Sequence, residues 1–238
     1  MLYQSERKLI VTILKKMVDV GLVINTSGNV SIKINDYFLI TPSGASYDNL
    51  SPADILVMDH NKQIIEGKLL PSSETDLHYS LYENRSDIKA IVHTHSLYAT
   101  AVSSITDELP AIHYQIIDLG GPVPVAPYET FGSPELAAAV VDKIADKNAV
   151  LMQNHGAVTV GDNLDIALQR SILLEWIASL YLISLHSGQP SFIDNKKLKN
   201  AVEQKQKYLT LRQDKKKTII MLFSAFVTKS VRKNIVQR

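Results

Sequence analysis

The chain has 238 residues, of which 45% are hydrophobic and 21% are charged, a composition that supports a packed core and argues against a disordered chain. Its 25 basic side chains nearly balance its 24 acidic ones, so the molecule as a whole is not a general polyanion binder. It contains no cysteine, which excludes disulfides, thiolate metal sites, iron–sulfur clusters and a cysteine nucleophile.

The N-terminal segment does not match a secretory signal. Charges at Glu6, Arg7 and Lys8 fall where a signal peptide has its apolar run. No uninterrupted apolar run approaches the roughly 18 residues of a membrane span. We therefore expect a cytoplasmic protein.

The first part of the chain predicts two helices and several short strands. Apolar residues at a helical period over 5–20, followed by Gly21, predict the first helix. Pro71-Ser72-Ser73-Glu74 predicts the start of a second helix that runs to about Asn84. The predicted strands, two of them joined as a hairpin at Asn35-Asp36, are Asn29–Ile34, Tyr37–Thr41, Ile55–Asp59, Gln63–Glu66 and Ala90–Thr94.

The second part of the chain continues with mixed elements. Ser133-Pro134-Glu135 combines a cap, a first-turn proline and an acid, and predicts a helix to about Asp146. The other predicted elements are helices over 97–103 and 164–186 and strands Val123–Ala126, Ala149–Gln153 and Ala157–Val160. Because strands and helices do not alternate strictly, we predict one α/β domain with a mostly antiparallel or mixed central sheet flanked by helices.

Charge is distributed unevenly along the chain. Residues 1–194 contain 12 basic and 22 acidic side chains, whereas residues 195–238 contain 13 basic and 2 acidic ones. The favoured interpretation is a C-terminal helix that packs on the body or on a neighbouring subunit and exposes its basic face to solvent. A tail for a membrane surface or a nucleic acid is less favoured, because no aromatic residues alternate with the lysines.

Three histidines form the first candidate site. His93 and His95 stand two residues apart at the end of a predicted strand, so both side chains point to one face. His155 follows another apolar strand and precedes Gly156. Together they offer three nitrogen ligands and an open position, which is typical of a catalytic metal site. Zinc suits imidazole best, although cobalt, manganese or iron also fits, and a hydrogen-bonded histidine pair is the structural alternative.

The Pro71-Ser72-Ser73-Glu74 string is the second candidate site. Serine hydroxyls and free backbone N–H groups at a helix start favour an anion such as phosphate, but a simple capping motif, which needs no ligand, is the commoner explanation of such a string. Glu74 is placed to act as a cap, a metal ligand or a general base. The glycine-containing turns at 26–29 and 41–44 are weak phosphate signals. The sequence contains no dinucleotide, Walker A or serine-hydrolase motif.

Seven motifs in register give the chain a family resemblance. They are SGNVS (27–31), TPSG (41–44), EGKLLPSSE (66–74), IVHTH (91–95), AIHY (111–114), APYETFGS (126–133) and NHG (154–156). In this order and spacing the chain resembles the class II aldolase/adducin family from about residue 1 to 208. His113, Tyr114 and the PYETFG string favour the fuculose-phosphate branch over the ribulose-phosphate 4-epimerase branch.

The resemblance implies a role for each matching residue. One zinc ion per subunit would be held by His93, His95 and His155. Glu74 would be a fourth ligand in the empty site and the acid/base when substrate displaces it. The phosphate-binding residues implied by the match are Asn29, Ser43, Gly44, Ser72 and Ser73.

The resemblance also implies an assembly. The family forms homotetramers with active sites at subunit interfaces, where Tyr114 of one subunit would protonate the aldehyde oxygen in its neighbour. Phe131 matches an aromatic wall, and Tyr208 is in register with a C-terminal tyrosine, although Leu209 replaces the glycine expected next. We expect a catalytic domain over 1–211 and a basic and apolar C-terminal extension over 212–238.

The activity implied is a zinc-dependent class II aldolase, a lyase of carbohydrate and fucose metabolism. It would cleave a ketose 1-phosphate, with L-fuculose 1-phosphate as the first candidate, to dihydroxyacetone phosphate and L-lactaldehyde. L-Rhamnulose 1-phosphate and 5-deoxyribulose 1-phosphate are neighbouring candidates. The alternatives are a methylthioribulose-1-phosphate dehydratase, a ribulose-phosphate 4-epimerase or a non-catalytic adducin-like assembly module. Neither a nucleic acid nor a membrane is expected as a partner.

The residues support this chemistry independently of the resemblance. Breaking a carbon–carbon bond beside a carbonyl leaves negative charge that needs either a Schiff-base lysine or a Lewis-acid metal. A Schiff-base lysine must be buried to lower its pKa, whereas Lys68 lies in a polar segment that predicts exposure. The three histidines therefore favour the metal route, with Glu74 moving the proton at carbon.

Overall fold

The computed structural model describes residues 1–212 and 215 of the chain. Met1–Ile193 form one compact unit, and a second unit begins at Asp194. The described part of the second unit is helical over residues 195–212. Of the expected C-terminal extension, 212–238, all but residues 212 and 215 lie outside the described residues, so the expected domain boundary stays a prediction.

Within the described residues, nine strands form one mixed sheet. In chain order they are β1 Asn29–Ile34, β2 Tyr37–Ile40, β3 Leu56–Asp59, β4 Ile64–Glu66, β5 Ala90–Thr94, β6 Glu108–Leu109, β7 Val123–Ala126, β8 Ala149–Met152 and β9 Gly156–Gly161. The spatial order is β4-β3-β2-β1-β5-β9-β8-β7-β6. Neighbouring strands are antiparallel except β7 and β8, which are parallel. The predicted fold class is confirmed.

Helices cover both faces of the sheet. They are α1 Gln4–Asp19, α2 Thr75–Asn84, α3 Leu97–Ser103, α4 Pro134–Ile144 and α5 Leu164–Ser187. One hydrophobic cluster joins α1 and the start of α5 to one face, and a second cluster joins α2 and α4 to the other. Strand β5 serves both clusters because successive side chains alternate: Ala90 and Val92 enter the first, and Ile91 enters the second.

Helix α2 begins later than its sequence pattern predicts. Ser72 still belongs to an extended segment, because its backbone N–H donates to the carbonyl of Thr41 and Pro71 forms a bridge with Pro42. Glu74 takes the position before the first helical residue, Thr75. The serine pair therefore lies on a loop tied to the neighbouring turn, and not in the first turn of the helix.

Two short elements have no counterpart among the predicted ones. Strand β6 has only two residues and pairs with β7, and a 3-10 helix spans Tyr114–Leu119. Both are too short to show a hydrophobic period, which is the signal that identified the longer elements.

Helix α5 is apolar on all sides. By length and composition alone, Leu164–Ser187 would suffice to cross a membrane, and 39% of its most apolar window is buried within the protein. Its inner side packs on β9 and β5, which is also how a core helix of a water-soluble protein behaves. On its outer side Trp176 and Ile183 are exposed, although the Trp176 ring contacts that of His113, so part of the apolar surface there remains open.

Candidate active site

The three predicted histidines converge at one end of the central strands. His93 lies in β5, His95 directly after it, and His155 in the turn between β8 and β9. A ring nitrogen from each lies within 4.8 Å of the others. The ring centroids are 4.7 to 5.1 Å apart and the rings meet edge to face. The predicted convergence is confirmed, and it occurs because β9 pairs with β5 and brings its turn beside the strand end.

Gly156 makes this approach possible. A Cβ atom at this position would lie 2.2 Å from the carbonyl oxygen of Thr94, closer than any real contact. Asn154, the residue before His155, adopts a left-handed conformation with φ of 55°, which asparagine tolerates better than most residues. These two residues shape the turn that carries His155 to His93.

Glu74 joins the histidine cluster from helix α2. Its Oε2 atom lies 2.9 Å from His93 Nε2, and its Oε1 atom lies 3.3 Å from His155 Nε2. The carboxylate is buried and accepts a hydrogen bond of 3.0 Å from Asn29 Nδ2. Among the described residues, no hydrogen-bond donor reaches Oε1. One of the two carboxylate oxygens is therefore available to a ligand.

These residues fit a divalent cation. His93 Nδ1 donates to the carbonyl of Ala157 over 3.0 Å, which turns Nε2 toward the cluster. That Nε2 atom lies only 2.8 Å from His95 Nε2, a distance at which two imidazoles must share a proton or a cation. Three imidazole nitrogens and a carboxylate oxygen with a free lone pair form a donor set that a divalent transition metal accepts.

The electrostatics of the cluster place one proton on it. Burial by itself lowers the pKa of His93, but the adjacent Glu74 carboxylate raises it above the ordinary value of an imidazole. Burial by itself raises the pKa of Glu74, yet the charge of His93 holds it well below its usual range. Burial and the charge of His93 lower the pKa of His95 to about 3 and that of His155 to about 4. His93 is therefore the proton carrier of the metal-free site.

One cavity of about 280 Å³ connects the cluster to the predicted phosphate residues. Glu74, His95, His155 and Phe131 line it. The five residues expected to bind phosphate, all in this cavity, are Asn29, Ser43, Gly44, Ser72 and Ser73. The structure thus brings these predicted residues together, although their roles stay predictions.

Backbone contacts hold the polar turns against each other. Ser43 donates its N–H to the carbonyl of Leu70, and Ser72 donates to that of Thr41. Gly132, at φ of 73°, lies so close to the carbonyl of Ser73 that a Cβ would come within 2.8 Å of it. The segments around residues 43, 72 and 132 therefore form one wall of the cavity.

Several lining residues received no individual role from the sequence. They are Thr26, Ser27, Gly28, Pro42, Tyr128, Glu129 and Asn154. The glycine-containing turns at 26–29 and 41–44 were the available signal, but such turns occur in most loops. Glu175, also not singled out, accepts hydrogen bonds from the N–H groups of Tyr98 and Ala99 and so caps α3 just after His95.

One expected contributor, Tyr114, lies apart from this group. Tyr114 is 55% exposed in the 3-10 helix and is not among the residues lining the cavity of its own chain. Its ring contacts His113, whose ring packs in turn against Trp176. Tyr208 belongs to the second unit, where its side chain is exposed.

Comparison with known proteins was consistent across sequence and structure. Residues 8–182 match the model of the Class II Aldolase and Adducin N-terminal domain. A 5-deoxy-D-ribulose 1-phosphate aldolase of Bacillus thuringiensis is 39% identical over 210 residues, covering 87% of this chain and 99% of that protein. The L-fuculose phosphate aldolase of Escherichia coli K12 is 42% identical over 185 residues, covering 77% of this chain and 85% of that protein.

A solved structure agrees with these relatives. An L-fuculose 1-phosphate aldolase superposes with a TM-score of 0.82 at 34% sequence identity, covering 84% of this chain and 95% of that one. The likeness includes the mixed sheet and its flanking helices, and it spans nearly the whole of the solved protein.

Replacing Gly156 by alanine should separate the histidines. The added Cβ would collide with the carbonyl of Thr94, so β9 must shift away from β5. We expect Gly156→Ala to lose bound divalent metal after dialysis, measured by elemental analysis, and to melt at a lower temperature. Gly21→Ala is the control, because a Cβ atom at that position meets nothing within 4 Å. Its only cost is the strain of alanine in a left-handed conformation, about 1 kcal/mol of stability. Full metal content in Gly156→Ala would contradict this account.

Metal binding should release a proton from His93. Its pKa is raised above the ordinary 6.5, so at pH 6.5 more than half of the metal-free molecules carry that proton. A metal ion must displace it, so affinity for Zn²⁺ should fall as the pH is lowered, and proton release should fall as the pH rises through the raised pKa. Calorimetric titration in two buffers of different ionisation enthalpy measures the released protons. Zinc binding at pH 6.5 without proton release would contradict the assignment, and His60→Gln is the unaffected control.

Proposed function

Because the chain belongs to the class II aldolase and adducin N-terminal domain family, and is a class II aldolase and hence a lyase, we propose that its substrate is a ketose 1-phosphate. The first candidate is L-fuculose 1-phosphate, cleaved to dihydroxyacetone phosphate and L-lactaldehyde. One observation carries this proposal: a single cavity of about 280 Å³ contains both the histidine and glutamate cluster and the polar loops. A substrate with a phosphate at one end and a carbonyl near it fits both halves.

The cofactor we propose is one zinc ion per subunit, held by His93, His95, His155 and, without substrate, Glu74. Such an ion, when bound, supplies a Lewis acid that withdraws negative charge from the carbonyl group of the substrate. The three imidazoles and the carboxylate support this choice, because zinc favours nitrogen ligands and four-coordinate sites.

Glu74 is the proposed acid/base. Its carboxylate faces the cavity next to the histidine cluster, and its pKa is held well below the usual range, so it is ionised and ready to accept a proton. In the cleavage direction it would first take up the proton that the substrate hydroxyl loses as the aldehyde forms, and then give a proton to the carbon from which the aldehyde has departed. In the synthetic direction it removes that proton from dihydroxyacetone phosphate.

The polar loops are the proposed phosphate site. Ser43, Ser72 and Ser73 offer hydroxyl groups, and the backbone around Gly44 offers N–H groups. Among the described lining residues there is no lysine or arginine. Neutral donors would therefore hold the phosphate and fix the orientation of the substrate. A fixed orientation lowers the activation barrier, because the translational and rotational entropy is lost on binding and not in the chemical step.

A homotetramer with shared sites is the proposed assembly. Tyr114 is exposed and outside the cavity of its own chain, so it would serve a neighbouring subunit and donate a proton to the aldehyde oxygen. The exposed apolar side chains of α5, among them Trp176 and Ile183, supply a surface that such an interface would cover. We place the enzyme in the cytoplasm, with no nucleic acid or membrane as partner.

A second substrate is favoured by a specific observation. The Bacillus thuringiensis relative aligns over 99% of its length and is named for 5-deoxy-D-ribulose 1-phosphate. That sugar shares the phosphate and the neighbouring carbonyl with L-fuculose 1-phosphate, so both fit the polar half of the cavity. The complete ligand set counts against a non-catalytic adducin-like module, in which these residues would be free to change.

A panel of sugar phosphates separates the remaining alternatives. We expect release of dihydroxyacetone phosphate from L-fuculose 1-phosphate or 5-deoxyribulose 1-phosphate. A coupled NADH assay measures this release. L-Rhamnulose 1-phosphate, methylthioribulose 1-phosphate and ribulose 5-phosphate complete the panel, the last two reporting dehydration and epimerisation. A chelator should abolish turnover and zinc should restore it. Turnover that survives complete metal removal would overturn the proposal. So would a panel in which the enzyme only dehydrates or only epimerises its substrate.

Replacing Glu74 by glutamine tests its role. The amide keeps the shape but cannot take up the proton, so we expect kcat to fall about 10²-fold or more while the three histidines still retain metal. Glu83→Gln, at an exposed position near the end of the same helix, is the matched control and should leave kcat unchanged. Full turnover by Glu74→Gln would remove the acid/base role from this residue.

A further inference from the structure

A row of polar side chains runs inward from Glu74 through the layer between helix α2 and strand β1. Glu74, His78 and Tyr82 stand four residues apart on one side of the helix, whereas Asn29 and Ser31 stand two residues apart on the strand. Four helical residues rise about 6 Å and two strand residues about 6.6 Å. The two spacings match, so the side chains interleave along the layer.

Each neighbouring pair in this row is in hydrogen-bond contact. Asn29 Nδ2 donates to Glu74 Oε2 over 3.0 Å, and the other end of that amide, Oδ1, contacts His78 Nε2. His78 Nδ1 lies 2.6 Å from Ser31 Oγ, which lies 2.7 Å from the hydroxyl of Tyr82. All five side chains are buried, and His78 and Ser31 are 0% exposed.

The chemistry of the groups gives these contacts one direction. The ionised carboxylate of Glu74 only accepts, so Asn29 presents its NH₂ group there and its carbonyl oxygen to His78. His78 must then carry its proton on Nε2 and accept at Nδ1 from the hydroxyl of Ser31. Ser31 in turn accepts from Tyr82. Every donor meets an acceptor, which is the condition for a stable buried network.

His78 stays neutral in this setting. Burial, and after it the positive charge of His93, lowers the pKa of His78 to about 3. A neutral imidazole has one N–H, and the carbonyl oxygen that Asn29 presents places this N–H on Nε2, leaving Nδ1 to accept from Ser31. If the amide of Asn29 were flipped, its oxygen would face the Glu74 carboxylate and its NH₂ group would face the N–H of His78. Both contacts would be repulsive.

We propose that His78 is a positioning residue for Glu74, because it locks the Asn29 amide in the orientation that donates to Glu74 Oε2. The hydrogen bond from Asn29 restrains the carboxylate and leaves Oε1 as the oxygen that faces His155. The proposal rests on the proposed function for its effect on turnover, since that effect requires Glu74 to act as acid/base. Its structural content, the Nε2–H form of His78, does not depend on the substrate.

The structural content is tested by ¹⁵N NMR of histidine-labelled protein at pH 7. The spectrum of His78→Gln identifies the signals of His78 by their loss. We expect a protonated Nε2 and an unprotonated Nδ1. An Nδ1–H form or a doubly protonated ring would overturn the proposal, whatever the activity of the enzyme is.

The effect on catalysis is tested by paired variants on the substrate turned over in the panel. His78→Leu removes the donor, and we expect kcat to fall about tenfold or more, with KM changed much less and bound metal retained. His78→Gln keeps an N–H donor and should restore most of the kcat lost in His78→Leu. The same two changes at His60, an exposed residue outside the row, are the matched controls and should leave kcat unchanged. Equal losses in His78→Leu and His78→Gln, or an unchanged kcat in His78→Leu, would overturn the proposal.

A double-mutant cycle asks whether His78 acts through Asn29. We expect His78→Leu to cost little further kcat in an Asn29→Ala background, because the amide it orients is already gone. Fully additive losses would contradict the proposal.

Ser31→Ala provides a second test if His78→Leu does not fold. Without the serine hydroxyl, Nδ1 of His78 loses its hydrogen-bond donor and the ring is held less firmly against Asn29, so we expect a lower kcat, by about threefold or more. Tyr82→Phe leaves Ser31 able to donate and should have a smaller effect. An unchanged kcat in Ser31→Ala would count against the proposal, whereas absence of turnover by the unaltered enzyme on every substrate would count against the proposed function instead.

Discussion

The convergence of four ionisable side chains at one point is the constraint on which the rest of this structure depends. His93 and Glu74 are buried and His95 and His155 are partly buried beside them, and a buried charge or unpaired imidazole is costly unless something compensates it. In the metal-free protein a single proton, held mainly by His93, partly compensates this cost. A divalent cation compensates it more completely, because it satisfies three nitrogen lone pairs and the free carboxylate oxygen together.

The sheet supplies this cluster with a rigid base and divides the site into two halves. Strand β5 lies between β1 and β9, so its end is supported on both sides, and Gly156 lets the β8–β9 turn come close enough to add His155. The half that contains the histidine cluster is therefore built on regular strands. The polar half is built from loops whose backbones are hydrogen-bonded to one another, and it offers hydroxyls and N–H groups without a fixed positive charge. A phosphorylated sugar spanning the cavity would meet an electrophile at one end and neutral donors at the other.

Helix α2 links these halves to the interior. Its first residues follow the loop that carries Ser72 and Ser73, its start places Glu74, and its inner side continues through His78 to Tyr82. The helix is therefore a packing element and also the support of the residue proposed as the acid/base. Elsewhere the fold leaves apolar surface on α5 and places Tyr114 outside the cavity of its own chain. The proposed homotetramer would account for both features, because it would cover that surface and bring Tyr114 to a neighbouring site.

Local spacing was sufficient to place much of this protein from its sequence. Two residues along a strand determine that His93 and His95 share a face, and Ser133 before a proline determines the start of α4, where its hydroxyl accepts from Leu136 N–H. The family motifs added the remaining ligands and the loop residues. Short elements such as β6, the late start of α2 and the exposure of Tyr114 depended on contacts with distant segments, which no local pattern encodes. Only the tertiary structure decided that Asn29 and His78 align behind Glu74, because that row exists through the packing of a helix onto a strand 45 or more residues away in the chain.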